Sequence, residues 1–465
     1  MNGYKKNKKG KPFIILAVAV AALIGLSFVP WSKLTGGYIK DFNLFSDLFG
    51  ISGPVTATEQ LDPELSKALA HEEAVEEPVP GDGSVTTPTS PELVKPVAAS
   101  RENGDMIIED YTANSQGVAH LRAALRQRAS RPVRIAVIGD SYIEGDILTM
   151  DIREQLQDKY GGCGVGYMPV SSPLTGFRVS VSQTCKGWTE HDIRKNAKDA
   201  YKSLAGEYFT GSAGAHVSYK GVSKLRHLDG WDMTKVLCIA PAGGKITVTT
   251  DDGDHLFGLD ASSDSVQCLE VKGRTTSASL SGNTSGMQLL GMYLDGNSGI
   301  LVDNMSLRGN SGITHRKLSV DLAQQMRKHV DYDLIIVEYG INALSSQQKD
   351  YSGYRKLMEQ TLARIKECYP ASDIILLGIG DRGQKINGEV VSVPTSQNMV
   401  DAQRDAARNA GVLFWDTREA MGGEGAVMAW REKGMINPDY IHLNAKGGAE
   451  LARLFVGSLM KATGE

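Results

Sequence analysis

The chain has 465 residues, and at roughly 100 to 200 residues per domain this length calls for two to four units rather than one compact core. Its composition, 41% hydrophobic, 7% aromatic and 22% charged, excludes a collagen, a disulfide-packed miniprotein, a coiled coil and a wholly disordered polypeptide. With 50 Lys and Arg against 54 Asp and Glu, the formal net charge of −4 argues against nucleic acid as a main partner. The five cysteines (Cys163, Cys185, Cys238, Cys268 and Cys368) are odd in number and lack CxxC spacing, so neither a disulfide framework nor a thiolate zinc site is indicated.

Residues 1–12 carry Lys5, Lys6, Lys8, Lys9 and Lys11 with no acid, and are read as a cytoplasmic stub. Phe13 to Val29 then runs 17 residues without a charge. As a helix it is about 26 Å long, enough to span the hydrocarbon layer with Pro30 and Trp31 at the interface, which makes 13–31 a transmembrane anchor. The lysines keep the N-terminus in the cytoplasm, so the rest of the chain lies on the periplasmic side. A cleaved signal peptide, giving a secreted protein, is the alternative. The length of the apolar run and the lack of a small-x-small site after it favour the anchor. Residues 32–110 are read as an acidic, Pro-rich linker. From Ile51 to Asp110 there are 13 acids against 3 bases, and seven of the 16 prolines fall between Pro54 and Pro96, too little apolar surface to offset chain entropy.

Globular sequence is expected from Tyr111. Ser115 to Arg131 has helical spacing of Val118, Leu121 and Leu125. After Pro132 the run Val133 to Ile138 reads as a buried parallel strand, and Leu148 to Tyr160 as a helix. From 166 to 304 the pattern changes to short β-like runs (216–219, 235–240, 245–250, 255–260, 267–271, 275–280 and 287–294) between Gly, Asp and Asn, which predicts a β-sandwich or jelly roll. Strands and helices then alternate: strand Leu334 to Glu338, helix Gly353 to Cys368, strand Asp373 to Leu377, helix Ser396 to Asn409, strand Val412 to Trp415 and helix Ala445 to Met460. The expectation is an α/β domain with a doubly wound parallel sheet, in two parts (111–165 and 305–465), interrupted by an all-β module.

In such a sheet the chemistry belongs in loops at the carboxyl ends of strands. The first such loop carries Gly139, Asp140 and Ser141, without the spacing of a GxSxG elbow. The strand Val302 to Leu307 is followed by RGNSGIT with Gly309 and Gly312, and Leu334 to Glu338 by Tyr339, Gly340, Ile341 and Asn342. Asp439 and His442 precede the last helix. Singly these are ordinary turn and cap residues. Together they supply a nucleophile, a base, an acceptor that orients the base, and oxyanion donors.

The four blocks resemble those of the SGNH (GDSL-type) hydrolases: GDS at 139–141, the glycine of NSG at 312, GIN at 340–342 and DYIH at 439–442. The resemblance implies a flavodoxin-like fold in which Ser141 is the nucleophile, His442 the general base and Asp439 its orienting partner. It places the amides of Ser141 and Gly312 and the side chain of Asn342 in the oxyanion hole, with Gly139, Asp140 and Gly340 in support. Neither a cofactor nor a metal is implied. Tyr142 and Ala343 depart from the common pattern, which is expected to alter the pocket rather than the machinery.

The insertion point and the GVGYMPVSSP that opens it are similar to the peptidoglycan O-acetylesterases, whose inserted module resembles carbohydrate-binding β-sandwiches. The implied activity is removal of acetyl groups from a cell-envelope glycan. A lysophospholipase or other lipid esterase, and a non-catalytic glycan-binding protein, are the competing readings. Acetyl transfer would share the same acyl-enzyme. Trp188, Trp231 and Tyr293 could stack on sugars, against the more frequent meaning of core aromatics. His191 and His315 are read as structural by default, and 251–255 and 295–299 as hairpin turns rather than calcium loops. GGCGVG at 161–166 follows a helix and so is no phosphate loop. The sugar, the acetyl position and the oligomeric state stay open.

Overall fold

The computed structural model describes residues 100–464 apart from 103–104, 173–177, 196 and 387. The apolar run 13–29 lies outside them. Among the described residues no helix is long and apolar enough to cross a membrane.

Six strands form the central sheet, in the order Ile300–Ser306, Val133–Gly139, Leu334–Glu338, Asp373–Leu377, Leu413–Trp415 and Glu109–Asp110. The first five are parallel, and the last pairs antiparallel with Leu413 and Phe414. Numbered along the chain, the parallel strands lie 2-1-3-4-5, the flavodoxin-like order. All seven residues of Val133–Gly139 are buried, because a strand covered on both faces has no solvent side to alternate with. Ile135, Val137, Ile336 and Leu413 pack on one face, under the helices Ala119–Arg126, Thr149–Tyr160 and Ala445–Thr463. Ala136, Ile138, Ile335 and Phe414 pack on the other, under Val320–Met326, Ser352–Cys368 and Ser396–Ala410.

The β-module lies between the first two parallel strands in sequence. Nine antiparallel strands from Gly166 to Asp295 form one hydrogen-bonded network, where two separate sheets were expected. The cause is the 14-residue strand Glu207–Lys220. Its first half pairs with Gln288–Asp295, its second with Ser277–Gly282, so a single strand belongs to both layers. Phe209, Val217, Val236, Val248, Leu280 and Leu289 share one core between them.

Three boundaries differ from expectation. Residue 304 falls inside Ile300–Ser306, a strand of the parallel sheet, so the module ends between 295 and 300. The acidic segment expected to be linker up to Asp110 is already folded at its end. Glu109 is buried against the Arg404 guanidinium at 3.1 Å, and its strand closes the sheet edge. The helix expected over 115–131 is only Ala119–Arg126, since the Asp110 carboxylate holds the amides of Thr112 and Gly117 in a turn before it.

GGCGVG is a packing device. A Cβ at Gly162 would stand 2.4 Å from the Ile300 carbonyl oxygen, and one at Gly299 would stand 2.2 Å from the Gly161 backbone. The chain thus leaves for the module and returns from it at adjacent points, tied by the Ile300 amide to the Gly161 carbonyl at 2.8 Å.

Module and sheet are joined by a buried charge cluster. Arg134 donates to Asp303 of the neighbouring parallel strand at 2.8 Å and to Asp295 of the last module strand. Tyr332 Oη and the Tyr167 amide also donate to Asp303, at 3.0 Å each, and the Arg134 guanidinium lies 5.3 Å from the Tyr293 ring centroid. Removing one member of such a group leaves an uncompensated charge. Arg134→Ala is therefore expected to lower stability by about 3–5 kcal/mol, read as a shift of the urea unfolding midpoint. A loss below 1 kcal/mol, on the order of a surface pair, would contradict this.

Candidate active site

The first parallel strand lies between the second and third, so the chain leaves it in opposite directions on its two sides, and a crevice opens at the carboxyl ends of the strands. The loops carrying Ser141 and Asn342 leave adjacent strands at that crevice. Gly139 is the last residue of the strand. A Cβ there would lie 2.8 Å from Glu338 Oε2 and 2.9 Å from the Glu338 carbonyl, so no larger residue fits.

Asp140 is fully buried, and its Oδ1 accepts the Tyr142 amide at 2.9 Å. This bend presents Ser141. The Tyr142 ring is buried in the core with its hydroxyl 3.6 Å from Met421 Sδ, so the departure expected to reshape the pocket alters packing beneath the loop.

Ser141 Oγ lies 2.9 Å from His442 Nε2, and His442 Nδ1 lies 2.7 Å from Asp439 Oδ2. The other Asp439 oxygen accepts the amides of Ile441 and His442 at 2.9 and 3.1 Å. Partial burial raises the Asp439 pKa, but the hydrogen bonds from the His442 ring and from the two amides outweigh it, and the carboxyl is held below its ordinary range. An ionised Asp439 fixes the proton on Nδ1 and leaves Nε2 free to accept from Ser141. The turn has a cost, since Tyr440 adopts a φ of 57°. Helix Ala445–Thr463 follows directly, capped by Asn444 on the Gly447 amide.

The expected oxyanion donors are placed close by, but two are engaged. The Asn342 amide nitrogen donates to Asp140 Oδ2 at 2.8 Å and to the Asn310 carbonyl at 3.0 Å. The Gly312 amide donates to Asn310 Oδ1 at 3.0 Å. Asn310 itself is wholly buried. An ester carbonyl must take these donors over from Asn310 and Asp140. Gly340 opens the short turn that carries Asn342, and its neighbour Tyr339 is held through its carbonyl by Gln403 Nε2 at 2.7 Å.

Three residues were not singled out from the sequence. Asn310 is one. Glu338 is another: it is buried beneath Asp140, whose amide faces Glu338 Oε2 at 3.4 Å. Burial, reinforced by the Asp140 charge, pushes the Glu338 carboxyl well above its ordinary range. The Asp140 carboxylate accepts two hydrogen bonds, and Glu338, its carboxyl raised by burial and by that charge, is the group that keeps a proton. A carboxylate closing the apolar run LIIVE was the available signal. The third is Arg382, in the loop after Asp373–Leu377, a strand end that the motif reading passed over.

Other candidates resolve as structural. Trp231 and Tyr293 are buried, with Trp231 Nε1 on Thr234 Oγ1 at 2.7 Å, and the half-buried Trp188 donates to the His216 carbonyl at 3.0 Å. His315 is buried on the Leu204 carbonyl with its pKa lowered to about 4 by desolvation, hence neutral. His191 stacks on Tyr208 at 4.5 Å. Asp251 braces a turn through Ser277 Oγ and the Thr276 amide, both at 2.6 Å. Among the described residues no group of three or more His, Cys, Asp or Glu is placed to hold a metal ion.

Fold and site together are similar to those of the SGNH-type carboxylic ester hydrolases. Residues 271–449 match the GDSL-like Lipase/Acylhydrolase family, a span that holds Gly312, Asn342, Asp439 and His442 and begins after Ser141. The chain resembles the structure of a peptidoglycan O-acetylesterase, described as "in action, 5 min", with a TM-score of 0.63 and 22% identity over 77% of this chain and 99% of that one. Lower similarity extends to the salicylyl-acyltransferase SsfX3 from a tetracycline biosynthetic pathway (TM-score 0.29, 12% identity, 62% and 96% covered). It extends also to a family two carbohydrate esterase from Cellvibrio japonicus (TM-score 0.26, 12% identity, 61% and 99% covered). No curated protein matches by sequence.

The proton retained by Glu338 makes stability pH-dependent. Glu338 is protonated in the folded chain at pH values where the unfolded chain releases that proton. Its contribution is therefore complete below the ordinary glutamate value of 4.5 and is lost as pH rises toward the folded value. Melting curves of wild type and Glu338→Gln should accordingly diverge as pH rises above about 5, with the variant increasingly favoured. A gap independent of pH would show that Glu338 ionises normally.

Proposed function

We propose that this esterase removes O-acetyl groups from a cell-envelope glycan through an acetyl-serine intermediate. The observation that carries the reading is the hydrogen-bonded series Ser141, His442, Asp439 at the topological switch point of the sheet. The fold likeness to a peptidoglycan O-acetylesterase covers 99% of that chain and supports the choice of an acetylated glycan.

In this reading Ser141 Oγ attacks the acetyl carbonyl while His442 Nε2 takes its proton. The tetrahedral oxyanion is held by the amides of Ser141 and Gly312 and by Asn342, which releases one of its present acceptors. His442 returns the proton to the sugar hydroxyl as the C–O bond breaks. Water, deprotonated by the same imidazole, then cleaves the acetyl-serine to acetate. Asp439 stays ionised and stabilises the imidazolium formed at each step.

Location is part of the same proposal. The anchor 13–31 would hold the enzyme on the outer face of a bacterial cytoplasmic membrane. A tether of roughly 60 to 80 residues, as the composition of 32–110 suggests, would have a root-mean-square reach of about 45 Å, suited to a polymer layer above the bilayer. A lipid esterase would share the anchor. The large apolar side chains exposed among the described residues, Val179, Leu256 and Ile386, lie on separate segments and offer no obvious bed for an acyl chain.

Acetate release from O-acetylated peptidoglycan, measured beside other acetylated polysaccharides, tests the reading. Ser141→Ala and His442→Ala should fold normally and lose turnover, and Asn342→Ala should lose about 10² to 10³ in kcat. Comparable turnover by Ser141→Ala, or long-chain esters cleaved much faster than acetyl esters, would overturn it.

A further inference from the structure

Several buried and half-buried arginines in this protein come with carboxylates. Arg134 has Asp295 and Asp303, Arg153 and Arg178 have Asp146, Arg194 has Asp192, Arg404 has Glu109 and Asp416, and Arg418 has Asp381. Arg382 has none, as is true of the half-buried Arg122, Arg128 and Arg431, whose terminal nitrogens are met by backbone carbonyls, but it lies beside the site. One terminal nitrogen donates to the Ile341 carbonyl at 3.2 Å, its Nε is buried without a hydrogen-bond partner, and no carboxylate among the described residues is in ion-pair contact with it.

The flanking acids cannot serve it, because each is already committed. Asp381 accepts Ser392 Oγ at 2.7 Å, the Val427 amide at 3.0 Å and Arg418 at 3.3 Å. Asp439 is taken by His442 and by two backbone amides. Burial lowers the Arg382 pKa, and the Asp439 charge opposes it only in part.

Its position is next to the reacting groups. Ile341, whose carbonyl it holds, precedes Asn342. The following amide, of Gly383, donates to the Tyr440 carbonyl at 2.9 Å, inside the loop between Asp439 and His442. The Arg382 carbonyl accepts the Val393 amide at 2.8 Å, which fixes the backbone from the other side. A largely desolvated guanidinium without a carboxylate, held between the loops of Asn342 and His442, lacks a counter-charge.

We propose that Arg382 forms an anion subsite that binds a carboxylate carried by the glycan beside the acetyl group being removed. The proposal rests on the esterase reading of the site and adds a substrate class: acetylated glycans with a carboxylate on the sugar or on its substituent, in preference to neutral ones. The guanidinium offers the planar fork that a carboxylate matches, and Asp439 stays bound to His442 while the glycan supplies the counter-charge.

Arg382→Gln and Arg382→Lys are compared with wild type on O-acetylated peptidoglycan, acetylated polygalacturonate and acetylated xylan. The expected result is a fall of about ten- to a hundredfold in the ratio of kcat/KM for the anionic over the neutral polymer in Arg382→Gln, carried by KM, with a smaller fall in Arg382→Lys. Loss on polygalacturonate as well as peptidoglycan assigns a ring carboxylate, and loss on peptidoglycan alone a substituent carboxylate. An unchanged ratio overturns the proposal, as does an equal loss on all three polymers, which is what mere support of the Asn342 turn would produce. Should Arg382→Gln not fold, inhibition of the wild type by deacetylated galacturonate oligomers against xylose oligomers reads the same subsite, and equal inhibition overturns it. Failure of wild type to hydrolyse any of the acetylated polymers would instead reject the esterase reading.

Discussion

The pairing of Val133–Gly139 between Ile300–Ser306 and Leu334–Glu338 is the constraint from which the rest follows. Because that strand is central, the three loops with Ser141, Gly312 and Asn342 emerge side by side from one edge of the sheet, although 201 positions separate the first from the last. The fourth group, Asp439 and His442, comes to the same edge ahead of the helix Ala445–Thr463, which covers one face of the sheet. No local geometry could assemble these parts. Parallel pairing does so with backbone hydrogen bonds alone, and the side chains are left free for chemistry.

Charge buried around that strand is handled in two ways. At its start Arg134 is neutralised by acids from two different structural regions, so the electrostatic satisfaction of one residue requires that module and sheet be docked. At its end Asp140 and Glu338 face each other with no cation between them, and the conflict is met by retaining a proton. The second arrangement bears on the site, since the Asp140 carboxylate accepts from the Asn342 amide and so orients it. Dry, fully bonded polar groups of this kind are costly to disturb and hold a single geometry.

Much of this was legible in the sequence. Runs such as VRIAVI, LIIVE and DIILL are apolar enough to mark strands covered on both faces, and the residues just beyond the first two are the ones the structure brings to one crevice, Ser141 and Asn342. Contacts that depend on a distant partner were not legible. Glu338 looks like the polar end of a strand until Asp140, 198 positions away, lies against it. Arg382 looks like one loop arginine among many until its neighbours' carboxylates are seen to be occupied. Glu109 lies in an acidic stretch that reads as solvated chain, and only the Arg404 guanidinium makes it part of the fold. The single strand shared by both layers of the module was hidden for the same reason, since half of Glu207–Lys220 is polar and its partners include, besides the preceding strand Ser182–Asp192, two strands about 60 to 80 positions further on.

The hydrogen bond from Ile300 to Gly161 ties the start of the module to its end. More than 130 residues are thus looped out from a junction no wider than a tight turn. The two strands that this loop separates in sequence remain direct neighbours in space, and the closure entropy falls on the module's own folding rather than on the assembly of the crevice. What the loop must still bring back is Asp295, without which the Arg134 guanidinium of the central strand keeps Asp303 alone, so the junction is short but the module is not freely exchangeable.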